Sequence, residues 1–114
     1  MARRADPAGS AVRARAAELN AGVVAEGRSL AGVDYADEPF TPPDRALLRA
    51  MLSASLRWHY RYEWLLARLL DRPLRSRDRL VQALLRIGLA QIEALRIPDH
   101  AAVSATVDAT AALG

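Results

Sequence analysis

The tripeptide Ile97-Pro98-Asp99 constrains this chain more than any other feature. Proline has no N–H to give to a helix, and its ring pushes the preceding residue out of the α region, so a helix arriving from Leu84 should stop at Ile97. Asp99 follows with a carboxylate able to accept the free amide N–H groups of a new helix. The corner joins two apolar-periodic segments. Leu80, Val81, Leu84, Leu85, Gly88, Ile92 and Leu95 precede it, and Ala102, Val103, Thr106, Val107, Thr110 and Leu113 follow. Gly88 costs about 1 kcal/mol relative to Ala in a helix interior, which predicts that it lets a neighbouring helix come close.

The same period appears upstream. Val12, Ala16, Leu19 and Val23 predict a helix from Ser10 to near Gly27 with Arg13 and Arg15 on its outer face. Pro7 and Gly9 predict a flexible tail over residues 1 to 9, and the clustered Asp, Glu, Pro and Gly between Gly32 and Pro43 read as a loop. Thr41-Pro-Pro-Asp44 is a helix start: Thr41 can cap, the prolines suit the first turn, and Asp44 favours the positive end of the dipole. Leu47, Leu48, Met51, Leu52 and Leu56 give that helix its buried stripe. A third helix, or a kinked continuation, runs to about Leu70, and Ser76 caps a fourth. Gly114 suits a helix C-cap. Five helices without a strand or an internal repeat predict an all-α orthogonal bundle in one domain, residues 10 to 114.

Composition narrows the chemistry. The basic residues, sixteen in number, are all arginine, and a net charge of +3 with a pI near 10.2 is compatible with a polyanionic partner. Cysteine is absent, so no disulfide framework or thiolate site can form. The opening Met1-Ala-Arg-Arg-Ala-Asp-Pro7 lacks an apolar signal region, and no stretch approaches the roughly 18 apolar residues of a membrane span; a cytoplasmic location is expected.

Candidate site residues fall into four groups. Arg3, Arg4, Arg13 and Arg15 lie on the tail and first helix, where a planar guanidinium could pair with phosphate and stack on an unpaired base, or simply be solvated. Arg72, Arg75, Arg77 and Arg79 surround the turn before the fourth helix, diluted by Asp71 and Asp78; RNA phosphate or solvent could satisfy them. On a continuous helix, Trp58 and Tyr62 share the face of Leu65 and Leu69, while Tyr60 and Trp64 point the other way. Core packing on both sides is the first expectation for these rings, with base stacking or docking of a second domain as the alternative. His59 and His100 sit in different helices without a ligand cluster, so no metal site is expected. Thiolate nucleophilic catalysis would need a cysteine, and a nucleotide-like cofactor would need a Gly-rich strand-to-helix turn; neither is present.

Leu84-Leu-Arg-Ile-Gly-Leu-Ala-Gln-Ile92 and Ile97-Pro-Asp-His-Ala-Ala-Val-Ser-Ala-Thr-Val107 resemble the matching stretch of NusB-like domains. His100 before Ala101-Ala-Val103 resembles more narrowly the N-terminal domain of the RsmB (Sun, Fmu) family of small-subunit rRNA cytosine-5 methyltransferases. Asp44-Arg-Ala-Leu-Leu48, Leu56-Arg57, Glu63-Trp-Leu-Leu66 and Arg72-Pro-Leu74 agree with it. The resemblance implies a NusB-like bundle that positions small-subunit rRNA, with Arg3, Arg4, Arg13 and Arg15 matching in part the family's arginine-rich RNA-binding element. It places S-adenosylmethionine and the chemistry in a C-terminal methyltransferase domain absent from these residues. The family's fold continues with one more helix, so an open apolar groove is expected, and with it self-association or marginal stability. A free-standing NusB-type antitermination factor, or a helical protein-interaction module that never touches nucleic acid, are the other readings.

Overall fold

In the computed structural model, α1 (Pro7–Val24) is the central helix and touches α2 (Pro42–Arg57), α4 (Arg79–Glu93) and α5 (Asp99–Leu113). α3 (His59–Leu69) packs on α4 and α2. The structure describes residues 7 to 113, and among them the elements are all helical, with single 3-10 turns at Leu30–Gly32, Tyr35–Asp37 and Ser76–Asp78. Arg3, Arg4 and Gly114 lie outside the described residues.

Alanine explains why α1 can be central. Ala14, Ala16, Ala17 and Ala21 are buried together with Val12, against Leu48 and Met51 of α2, Ala83, Leu84 and Ile87 of α4, and Ala109 of α5. Small side chains on several faces let three helices approach one axis, whereas a one-sided stripe would permit only one neighbour. The Val12, Ala16, Leu19, Val23 stripe is therefore part of a wider buried surface. Pro7 begins the helix instead of breaking it, because its fixed φ suits the first helical position and its missing N–H would have no partner there.

α2 starts as its sequence predicts, with the Asp44 N–H donating to Thr41 Oγ1 at 3.4 Å and prolines in the first two positions. It is interrupted at Trp58 (φ −104°, ψ 24°), which caps α2 and opens α3. The break rotates Trp58 off the face that Tyr62 shares with Leu66, so Tyr62 is buried while Trp58 is 46 % exposed.

The corner at Pro98 is built differently from the sequence expectation. α4 ends at Glu93, and Arg96 takes a left-handed φ of 55°, which turns the Ile97 N–H back onto the Gln91 carbonyl at 2.9 Å. α1 closes the same way, with Gly27 at φ 70° and the Arg28 N–H on the Gly22 carbonyl at 2.9 Å. Asp99 is the first residue of α5 and not its cap; the Pro98 carbonyl accepts the Ala102 N–H at 2.9 Å, and the Asp99 charge favours the helix start. The 3-10 turn beginning at Ser76 precedes α4, which starts at Arg79 without a side-chain cap.

Gly88 faces Thr106, but not tightly. A Cβ added there would lie 3.5 Å from Thr106 Cγ2, an ordinary contact. Close helix approach therefore does not require glycine, and Gly88→Ala is expected to raise stability by up to about 1 kcal/mol through helix propensity. A lower thermal midpoint in the variant would contradict that geometry.

Val103 and Val107 of α5 and Val81 of α4, expected inside, are exposed. The two α5 valines line an apolar groove of about 260 Å³ with Leu69, Leu85, Leu89 and Ile92, bounded by α3, α4 and α5.

Candidate nucleic-acid interface

Helices around α1 bring polar side chains into the interior, and four of them, Asn20, Ser55, Arg86 and Gln91, join two hydrogen-bonded networks. Arg86 of α4, only 3 % exposed, donates from Nε and Nη2 to Asn20 Oδ1 of α1 at 3.1 and 2.8 Å, and from Nη1 to Glu63 Oε1 of α3 at 2.8 Å. Asn20 Nδ2 donates to Ser55 Oγ of α2 at 2.9 Å, and that hydroxyl donates to the Leu52 carbonyl at 2.8 Å. A second network runs from Arg13 Nε to Gln91 Oε1 at 2.8 Å and from Gln91 Nε2 to Thr106 Oγ1 at 2.9 Å, joining α1, α4 and α5. A buried charge or amide persists only when paired in this way.

These contacts sort the arginines. Arg13, expected on the outer face, is 8 % exposed and bonded to Gln91 and to the Gly9 carbonyl (3.1 Å). Arg15 places its Nε 2.5 Å from Glu38 Oε1 and its Nη1 3.6 Å from Glu18; the Glu38 hydrogen bond holds its pKa above the ordinary value. The first helix thus spends both side chains within the fold, because the loop carrying Glu38 folds back onto it.

The turn after α3 behaves in the opposite way. Arg68 in the last turn of α3 and Arg72, Arg75 and Arg77 of the turn itself are exposed, and among the described residues none of them forms an ion pair. Arg79 leans on Glu26 at 3.7 Å. Gln82 Nε2 donates to the Leu74 and Arg75 carbonyls at 3.3 and 3.0 Å, and Asp78 Oδ2 accepts the Arg75 N–H at 3.2 Å, so the turn is tied to α4. Cations are held outward there on an anchored backbone.

Tyr60 is 87 % exposed and Trp64 53 % exposed, so core packing on both sides of α3 is overturned. The physical reason is the number of neighbours: α3 has packing partners on one side only, and Tyr62 and Leu66 are its buried residues. Arg68 lies 4.0 Å over the Trp64 ring and Arg57 lies 5.6 Å from the Trp58 ring. His100 is exposed in the first turn of α5, and among the described residues no cluster of His, Cys, Asp or Glu is placed to hold a metal. No described helix is long and apolar enough to cross a membrane.

His59 is half-buried with its Nδ1 unpartnered among the described residues. Burial lowers its pKa below 6.5, the nearby Arg86 charge lowers it further, and Glu63 opposes both. The unfolded chain binds this proton more readily than the folded one, so stability should fall as pH drops below about 6.5. Urea midpoints at about pH 7 and pH 5.5 measure this: His59→Gln should flatten the difference, and an unchanged slope would refute it.

Asn20, Ser55, Arg86 and Gln91 are functional parts of the fold that residue type alone hides. For Arg86 the signal is its place on the face of Ala83, Ile87 and Ala90; a charge within an apolar stripe demands a partner.

The family comparison fits this arrangement of helices, since the model of the NusB family matches residues 10–114. The chain belongs to the NusB family. Its NusB domain is 45 % identical to ribosomal RNA small subunit methyltransferase B of Xanthomonas campestris pv. campestris, covering 100 % of this chain and 26 % of that protein. The proteins of the same name from Vibrio vulnificus and Xylella fastidiosa strain Temecula1 are 39 % and 44 % identical, over 90 % and 93 % of this chain and 24 % and 25 % of theirs. The NusB domain thus spans about a quarter of the length of the curated relatives it matches.

Proposed function

We propose that this chain is the non-catalytic, RNA-positioning domain of an RsmB-type rRNA cytosine-5 methyltransferase. The observation carrying the reading is the set of outward arginines Arg72, Arg75 and Arg77, which form no ion pair among the described residues, on a turn that Gln82 ties to α4. Phosphate contacts therefore come from the α3–α4 turn, and Arg13 and Arg15 serve the fold. Relatives named as small-subunit rRNA methyltransferases support this over a free-standing antitermination factor. The chain lacks the cysteine that attack on cytosine requires, and no described strand or Gly-rich turn fits S-adenosylmethionine. Both belong to the catalytic domain, this domain's partner in the enzyme.

The test is fluorescence anisotropy of this chain with a small-subunit rRNA hairpin and an unrelated hairpin at low and moderate salt. Binding should weaken with salt, and Arg75→Gln with Arg77→Gln should reduce the slope of log affinity against log salt by about one per residue. Absence of salt-sensitive binding, or a double variant that binds like the parent, overturns the reading.

A further inference from the structure

The outer side of α3 carries what an unpaired RNA strand needs and little that a folded chain gains from. Tyr60, Trp64 and Arg68 are four residues apart, so they stand one above the other on a single helix face. Arg57 precedes this face at the end of α2. Two large rings more than half exposed, with a third at Trp58, leave apolar area in water that burial elsewhere in the bundle does not recover.

Charge selects the partner. Glu63 is the one acidic residue of α3, and its carboxylate is taken by Arg86; Arg61 is taken by Glu93, with Nη2 to Oε1 at 2.6 Å. Arg57 and Arg68 form no ion pair among the described residues and lie over indole rings, Arg68 at 4.0 Å. The ridge is therefore aromatic faces flanked by uncompensated guanidinium groups. A polyanion with exposed π faces matches both; duplex RNA offers the charge but keeps its bases stacked inside.

We propose that the ridge formed by Arg57, Tyr60, Trp64 and Arg68 is a stacking platform for unpaired bases of a single RNA strand. It rests on the RNA-positioning reading and deepens it: the turn arginines hold phosphates, and the α3 rings select unpaired nucleotides. Tyr60 and the open face of Trp64 receive bases, while Arg57 and Arg68 meet the phosphates between them.

Intrinsic fluorescence tests this directly, because Trp58 and Trp64 are the two tryptophans of the chain. Trp58→Phe isolates Trp64 as the reporter. Titration with a short unstructured oligoadenylate should quench Trp64, and an RNA duplex of equal length should not. Tyr60→Ala and Trp64→Ala should each weaken oligoadenylate binding about tenfold, and Trp64→Phe should restore most of the loss. Thermal melts matching the parent show that the exposed-site variants remain folded. Salt-sensitive RNA binding that neither quenches Trp64 nor responds to these variants overturns the platform while leaving the phosphate surface standing. Absence of any RNA binding overturns both. Quenching that instead follows protein concentration, with self-association in sedimentation, makes the ridge a protein contact and overturns the platform.

Discussion

Asn20→Ala is expected to destabilise the bundle by about 3 kcal/mol, a large fraction of what a small domain has. Asn20 Oδ1 accepts two hydrogen bonds from the buried Arg86 guanidinium, and its Nδ2 reaches Ser55. Alanine leaves the charge of Arg86 in place with only Glu63, which is itself half in water, to meet it. Hydrogen bonds to a charged group contribute about 1.5–3 kcal/mol, and a stranded buried donor adds its desolvation cost. Arg86→Met should cost less, because it removes the charge along with its partners and keeps most of the volume. Urea unfolding of the two single variants and the double variant Asn20→Ala with Arg86→Met measures the coupling. A loss below about 1 kcal/mol for Asn20→Ala would mean that water replaces the amide, and that the network is not what holds four helices together.

The same network bears on the proposed RNA surface. α3 is anchored by Tyr62 and Leu66, by Glu63 on Arg86 and by Arg61 on Glu93, so it depends on polar ties more than α1 does. Elements with few buried apolar side chains open first, and α3 belongs to that class. Loss of Asn20 frees Arg86 to move, and the Glu63 tie moves with it.

Helices were legible in this sequence because their periodicity and punctuation are local. Thr41-Pro-Pro-Asp44 caps where it should, and the α2 stripe of Leu48, Met51 and Leu52 is buried. What was not legible is which faces acquire neighbours. Arg13 and Arg15 sit in one turn of one helix, yet one is buried against Gln91 and the other meets a carboxylate 23 residues away in sequence. Tyr60 and Trp64 have the spacing of a core stripe, and only the absence of a packing partner on that side of α3 turns them outward. The helix end at Glu93 was hidden by a stronger-looking signal at Pro98, because a left-handed arginine is an uncommon terminator. The family resemblance named the domain correctly, but Arg13, expected on the outer face, is buried, and Arg15 is partly exposed and paired with Glu38.

Gln91→Leu is expected to cost about 2–3 kcal/mol, with its effect concentrated in α5. The amide accepts from Arg13 Nε and donates to Thr106 Oγ1, and leucine of similar volume can do neither. A buried guanidinium then loses an acceptor, while Thr106 can still turn its hydroxyl towards other oxygens. α5 has Ala102 and Ala109 as its buried residues, so the Thr106 bond is a large share of what fixes it on α4. Gln91→Glu should lose less than Gln91→Leu, since a carboxylate accepts from Arg13 and the Thr106 hydroxyl can donate to it. Amide hydrogen exchange is the sharper readout: protection should fall across α5 and persist in α2, which the Gln91 network does not touch. Affinity for RNA should stay close to the parent's at temperatures where the variant is folded, because the arginine turn and the α3 ridge lie on other elements. A variant that loosens α5 and abolishes RNA binding together would place the RNA surface on α5, against the assignment of phosphate contacts to Arg75 and Arg77.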